Sequence, residues 1–187
     1  MPDSIIIDNC SPTLAGIKTG NIFTIDRELI SDIKKELCEL NHCLTRKGLR
    51  AIPLRISEKN VLIYIYRPDR LQADLSSAEA KEILLEKGYN CKSIESDIVH
   101  LIHHIRDDGP FPHEIGLFLG YPPVDVRGFM EDTRNGVKCV GYWKVYGDKE
   151  KAEKTFSSYK KCAEVYKKCL ARGRQLSQMI VNTRNAN

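Results

Sequence analysis

The sequence predicts an α+β fold, with a small, mostly antiparallel sheet of about three strands packed by five or six helices. Three observations predict it. Apolar residues recur at helical spacing in several separate stretches. Residues 51–67 alternate, turn and resume as a hairpin. Residues 137–146, VKCVGYWKVY, form a further strand-like run with aromatics on both faces. At 187 residues the chain can bury a core, and with no repeat and no linker it reads as one domain, 1–187.

The first segment, Cys10 to Phe23, reads CSPTLAGIKTGNIF. Ser11 before Pro12 is a cap followed by a first helical residue, which puts Cys10 at or just before a helix N-terminus. Gly16 and Gly20 keep that helix short. From about Asp26 to Thr45, Leu29, Ile30, Ile33, Leu37, Leu40 and Leu44 recur at helical spacing, and Gly48 follows. In the hairpin, Ile52, Leu54 and Ile56 alternate with polar or proline positions, so the strand 51–57 has one wet face. Pro53 assigns it to an edge. Ser57 to Asn60 is the turn, and in the strand 61–67 the run Val61 to Tyr66 is apolar on both faces, as a central strand is.

Ser76-x-x-Glu79 is a capping box opening a helix over about 76–87, with Gly88 as its stop. A helix over about 93–106 turns Ile94, Ile98, Leu101, Ile102 and Ile105 inward. Then comes FPHEIGLFLGYPP, Phe111 to Pro123. Pro112 suits a first helical position, Gly120 a left-handed stop, and Pro122 with Pro123 a block on continuation. The residues between are apolar all round, so this is a buried central pin with His113 and Glu114 at its N-terminal end. A helix over about 123–132 and a turn at Asn135-Gly136 follow. Gly141 marks a bulge or a close approach in the strand 137–146. Asp148 caps a last long helix to about Leu170, and residues 183–187 read as a frayed tail.

Composition narrows the classes. The chain is 42% hydrophobic and 29% charged, without low-complexity tracts. MPDSIIIDNC lacks the basic region of a signal peptide, and no apolar run reaches the roughly 20 residues of a membrane helix. A cytoplasmic protein with no membrane span is expected. The seven cysteines form no Cys-x-x-Cys pair and read as free thiols. The net charge of +4 is concentrated in residues 148–187, where ten Lys/Arg face four acids. There the tyrosines fall in the apolar stripe and the lysines off it, which is a solvated face and argues against nucleic acid.

Four groups of residues could carry chemistry. Cys10 at a helix start would have its thiolate favoured by the helix dipole, and His113 with Glu114 would supply a base and its orienter. That is the layout of a thiol-dependent enzyme. The plain alternative is a core thiol and a helix-end histidine. On the 93–106 helix, Asp97, His100 and His104 share a side opposite the isoleucine stripe, near His103. A His pair at i, i+4 with a carboxylate suits a metal ion, and three solvent-facing histidines are the alternative. No outside ligand can be named, so no metal and no cofactor is assigned. Cys162 and Cys169 match none of the usual cluster spacings. Arg55, Arg67 and Arg70, with Lys18, offer an anionic small molecule its contacts, surface charge being the alternative. No phosphate loop, dinucleotide fingerprint, Gly-x-Ser-x-Gly elbow or His-Glu-x-x-His motif is present.

Three stretches, CSPTLAGIKTGNIF, FPHEIGLFLGYPPVDVRGF and KCVGYWKVYGD, resemble an uncharacterised bacterial family catalogued as domain of unknown function 3793. The resemblance covers nearly the whole chain and implies no activity, substrate or cofactor. It is to proteins of anaerobic bacteria, some encoded near flavodoxin-type genes. The motifs contain Cys10, Lys18, His113, Glu114, Cys139, Tyr142 and Trp143, which ranks these above the central histidines. The expected site is therefore a pocket near Cys10 and His113, with Glu114 and Trp143, in a thiol-dependent enzyme or small-molecule-handling protein. Lys18, Tyr142, Trp143 and Arg67 would bind the ligand. The alternative is a non-enzymatic accessory protein in anaerobic redox or metal metabolism, with a redox protein as partner.

Overall fold

The computed structural model describes residues 1–106, 110–132 and 134–183. In chain order its elements are α1 (Asp3–Leu14), β1 (Gly20–Asp26), α2 (Ile33–Leu44), β2 (Arg50–Ile56), β3 (Asn60–Tyr66), α3 (Pro68–Leu75), α4 (Ala78–Glu86), α5 (Ile94–Arg106), α6 (Ile115–Phe118), α7 (Pro123–Glu131), β4 (Cys139–Val140), β5 (Lys144–Val145), α8 (Lys149–Ala171) and α9 (Leu176–Met179). The fold is α+β, with a three-stranded antiparallel sheet and a separate two-stranded one. Contacts gather the chain into two compact units, Met1–Asp69 with Tyr159–Asn187, and Arg70–Ser158.

In the first unit β3 is the central strand, in the order β1-β3-β2, and every residue from Val61 to Tyr66 is buried, as its two apolar faces require. Pro53 sits on the edge strand β2, where the register shifts between Pro53 and Arg55. The third strand of this sheet is β1, not 137–146. GNIFTID buries Phe23 and Ile25 and exposes Thr24 and Asp26, a period of two between the expected short first helix and the helix expected from Asp26. The helix expected from Asp26 begins only at Ile33, because Asp32 accepts from Lys34 and Lys35 backbone N–H and caps it there.

α1 also departs from expectation. It starts at Asp3 rather than Ser11, since Ile6 and Ile7 bury completely and carry the helix upstream. Pro12 lies inside its last turn, and the Pro12 carbonyl accepts from the backbone of Ile17 and Lys18 as the chain leaves. The core of this unit joins Ile6, Ile7, Cys10 and Leu14 of α1 to Phe23, Ile63 and Ile65 of the sheet, Leu40 and Leu44 of α2, and Leu176 and Met179 of α9. At the C-terminal end Val181 N donates to Leu14 O and the Thr183 hydroxyl accepts from Arg67, so residue 183 is held rather than frayed. The rest of the expected tail, 184–187, lies outside the described residues.

In the second unit α5 buries Ile94, Ile98, Leu101 and Ile105 as its period demands. α6 is a single buried turn and starts later than Pro112, with Gly120 in the left-handed conformation just after it (φ 76°). The run 137–146 is no sheet strand. Only 139–140 and 144–145 pair, as a short hairpin, because its aromatics are spent on packing at the tip. Trp143 stacks on Tyr121 at 4.7 Å and meets Phe156 edge-on at 4.5 Å. A Cβ at Gly141 would run into the Phe156 ring, so the close approach there excludes any other residue. The buried Asp125 of α7 holds the hairpin, accepting from Trp143 Nε1 (2.7 Å), Tyr146 N (2.8 Å) and Gly147 N (2.7 Å).

Candidate functional site

The cluster that gathers chemistry lies in the second unit and is built by three elements. α4 ends with Gly88 in the left-handed conformation (φ 84°), and Tyr89 N closes back on Leu84 O, which folds the Tyr89 ring inward. α5 places Asp97, His100 and His104 along one side. The turn before α6 supplies Glu114, which is 3% exposed.

These side chains converge on one oxygen. Glu114 Oε1 accepts from Tyr89 OH at 3.1 Å and from His104 Nδ1 at 2.9 Å. An ionised carboxylate has no donor, so His104 must carry a proton on Nδ1. In the neutral ring that leaves Nε2 as the basic nitrogen. The Tyr89 hydroxyl is pushed up from its ordinary range, first by burial and then by the adjacent Glu114 charge, so it stays a donor. His100 packs between these partners, its ring 4.2 Å from Tyr89 and 4.3 Å from His104, with Nε2 enclosed and unpartnered. Asp97 is buried and accepts from Cys91 N. Burial pushes its carboxyl up, against the opposing pull of that bond and of His100. The α5 side read either as a metal-binding face or as three solvent-facing histidines is thus split. His103 is exposed, while His100 and His104 are partly buried.

His104 and Glu114 open onto a cleft of about 330 Å³, lined also by Lys87, Pro110, Phe111, Pro112, His113 and Met130. His113 is exposed in this cleft and meets the Phe129 ring edge-on at 4.9 Å. The histidine bonded to Glu114 is therefore His104, ten residues upstream, while its neighbour His113 lines the cleft beside them.

The other candidate residues have their own surroundings. Cys10 lies in the first unit, in the interior of α1 rather than at its N-terminus, and is fully buried in the core. The dipole and free N–H groups that would favour a thiolate are those of the first turn, and Cys10 is not in it. Burial pushes its thiol up to about 12, although Lys18 pulls the other way. Lys18 is buried too, its ammonium donates to the Gly20 carbonyl, and burial lowers it to about 7. Arg67 is 1% exposed and gives five hydrogen bonds, to the carbonyls of Thr13, Leu14, Lys47 and Val181 and to the Thr183 hydroxyl. Those are the five N–H donors a guanidinium has. Trp143 is held by Asp125 in the hairpin, and Tyr142 beside it is exposed with its ring 5.8 Å from Phe156.

Among the described residues no group of three or more His, Cys, Asp or Glu is arranged to hold a metal ion. All seven cysteines are free. No helix among the described residues is long and apolar enough to cross a membrane. Tyr89 is the site residue the sequence reading missed. Its signal was the Gly88 stop, after which an aromatic residue commonly folds back on the helix it follows.

A family model described as Protein of unknown function (DUF3793) matches residues 6–180. No curated protein and no solved structure matches the chain.

Proposed function

The chain belongs to that family, whose description assigns no activity, and from the site itself we propose a small-molecule enzyme that works by acid–base chemistry in the cleft of the second unit. His104 is the general base, Glu114 holds its tautomer, Tyr89 holds Glu114, and His113 is a second proton-transfer group on the cleft wall. The observation that carries this reading is the single Glu114 oxygen shared by Tyr89 and His104, with His104 lining the cleft. A buried carboxylate bonded to one ring nitrogen frees the other to take a proton, the orienting logic of acid–base histidines generally. Cys10 has no catalytic part in it, since a thiolate nucleophile needs exposure and a lowered pKa. The reading places the protein in the bacterial cytoplasm, which the seven free thiols and the family resemblance support.

The test is the tautomer of His104, read from the ring nitrogen shifts of ¹⁵N-labelled protein. The expected result is Nδ1–H with an unprotonated Nε2, and a weakened bias in Glu114→Gln, where the amide accepts or donates. An Nε2–H tautomer in the wild-type protein ends the reading.

A further inference from the structure

We propose that the cleft binds a small monoanionic carboxylate with an apolar body. The proposal takes the site from the acid–base reading and adds the class of its ligand.

Three features of the wall support it. The first is an ammonium and an imidazole that no described residue engages by ion pair or hydrogen bond. Lys87 lines the cleft and makes no ion pair among the described residues. The ring nitrogens of His113 are likewise not hydrogen-bonded to any described residue. The second is that the carboxylate of the wall is already engaged. Glu114 turns Oε1 to Tyr89 and His104 and makes no ion pair with the Lys87 ammonium among the described residues. The third is the apolar remainder, Phe111, Pro112 and Met130, against which a hydrocarbon body can lie. A volume of about 330 Å³ is at the small end for ligand pockets and suits a compact molecule. Lys87 is the one lysine or arginine lining the cleft among the described residues, and a single ammonium balances one negative charge rather than two. That selects a monoanion.

Benzoate is the probe, with benzyl alcohol as its neutral counterpart and phenyl phosphate as the dianion. Each is titrated calorimetrically into the full chain and into Lys87→Met, with the ring protons of His104 and His113 followed by NMR. Lys87 is exposed, so its replacement leaves the fold intact, which circular dichroism verifies. Benzoate should bind about tenfold more tightly than benzyl alcohol, shift both histidines, and lose most of that advantage in Lys87→Met. Absence of saturable benzoate binding at about 10 mM overturns the proposal. So does equal binding of the alcohol, a Lys87→Met titration identical to wild type, or phenyl phosphate binding about tenfold tighter than benzoate. The two readings fail separately. Benzoate binding with His104 in the Nε2–H form removes the acid–base role and keeps the ligand class. The Nδ1–H form without benzoate binding does the reverse.

Discussion

Arg67 in the first unit and Glu114 in the second are both charged and both nearly sealed from solvent, at 1% and 3% exposure. They are used differently. Arg67 gives every donor it has to backbone carbonyls and one hydroxyl, drawn from the end of α1, the turn after α2 and the C-terminal segment. Nothing of it remains for a ligand. Glu114 bonds two side chains through one oxygen, and one of those partners reaches a cleft. Buried polarity satisfied by backbone is architecture. Buried polarity satisfied by side chains that still have a reactive atom to offer is the material of a site. The contrast also holds inside the second unit. Asp125 takes two backbone N–H groups and an indole, and its product is a fixed hairpin.

The largest expected effect follows from the first half of this contrast. Arg67→Met should lower stability by roughly 3–5 kcal/mol, because it strands four carbonyls and a hydroxyl at once. Arg67→Lys should recover less than half, since an ammonium cannot reach five acceptors in fork geometry. Urea unfolding of the three proteins decides it. A loss under about 1 kcal/mol in Arg67→Met would mean that the segments it ties hold themselves in place.

Arg67 also shows what the sequence could and could not disclose. An arginine at a strand end reads as a candidate anion contact, because sequence carries residue type and period but not where backbone carbonyls will point. The same limit explains the sheet. Residues 61–66 were legible as a central strand, since both faces are apolar. Residues 20–26 were not, because only Phe23 and Ile25 mark their inner face. Residues 137–146 looked like a strand for want of knowing that Tyr121 and Phe156 would claim Trp143. At the site, the period of α5 correctly grouped Asp97, His100 and His104. The buried pin was legible too, and Glu114 with it. What pairs them is a tertiary contact across ten residues, and Tyr89, its third member, sits in what reads as a loop.

A smaller effect, of about 2 kcal/mol, separates buried charge from buried hydrogen bonding within the first unit. Lys18 is lowered from 10.5 to about 7 by burial, so between those values the unfolded chain holds more protons than the folded one. Stability therefore rises with pH from about 7. Cys10 acts in the opposite sense. Burial raises it from 9.0 to about 12, so above about 9 the unfolded chain loses the thiol proton first and stability falls. The net rise should be confined to about pH 7–9, at up to about 1.4 kcal/mol per pH unit. In Lys18→Met that rise should vanish. Urea midpoints across this window test it, and parallel curves for the two proteins would show that Lys18 keeps its proton on folding.

The smallest change bears most directly on the contrast. Tyr89→Phe removes one hydroxyl from a residue that is 2% exposed and leaves the ring stack on His100 in place. The loss of one hydrogen bond to a charged acceptor should cost about 1–2 kcal/mol. Glu114 Oε1 then has His104 alone. Two donors on one oxygen weaken each other, so removing one should strengthen the other, and the His104 Nδ1–H proton should move downfield as its bond to the carboxylate tightens. The Nδ1–H tautomer should persist, because Glu114 is still an acceptor. A hydroxyl serving only architecture, as the Arg67 donors do, would cost the same stability and leave the His104 ring signals where they were. Stability and ring shift measured on one variant therefore tell whether Tyr89 belongs with Arg67 or with the cleft.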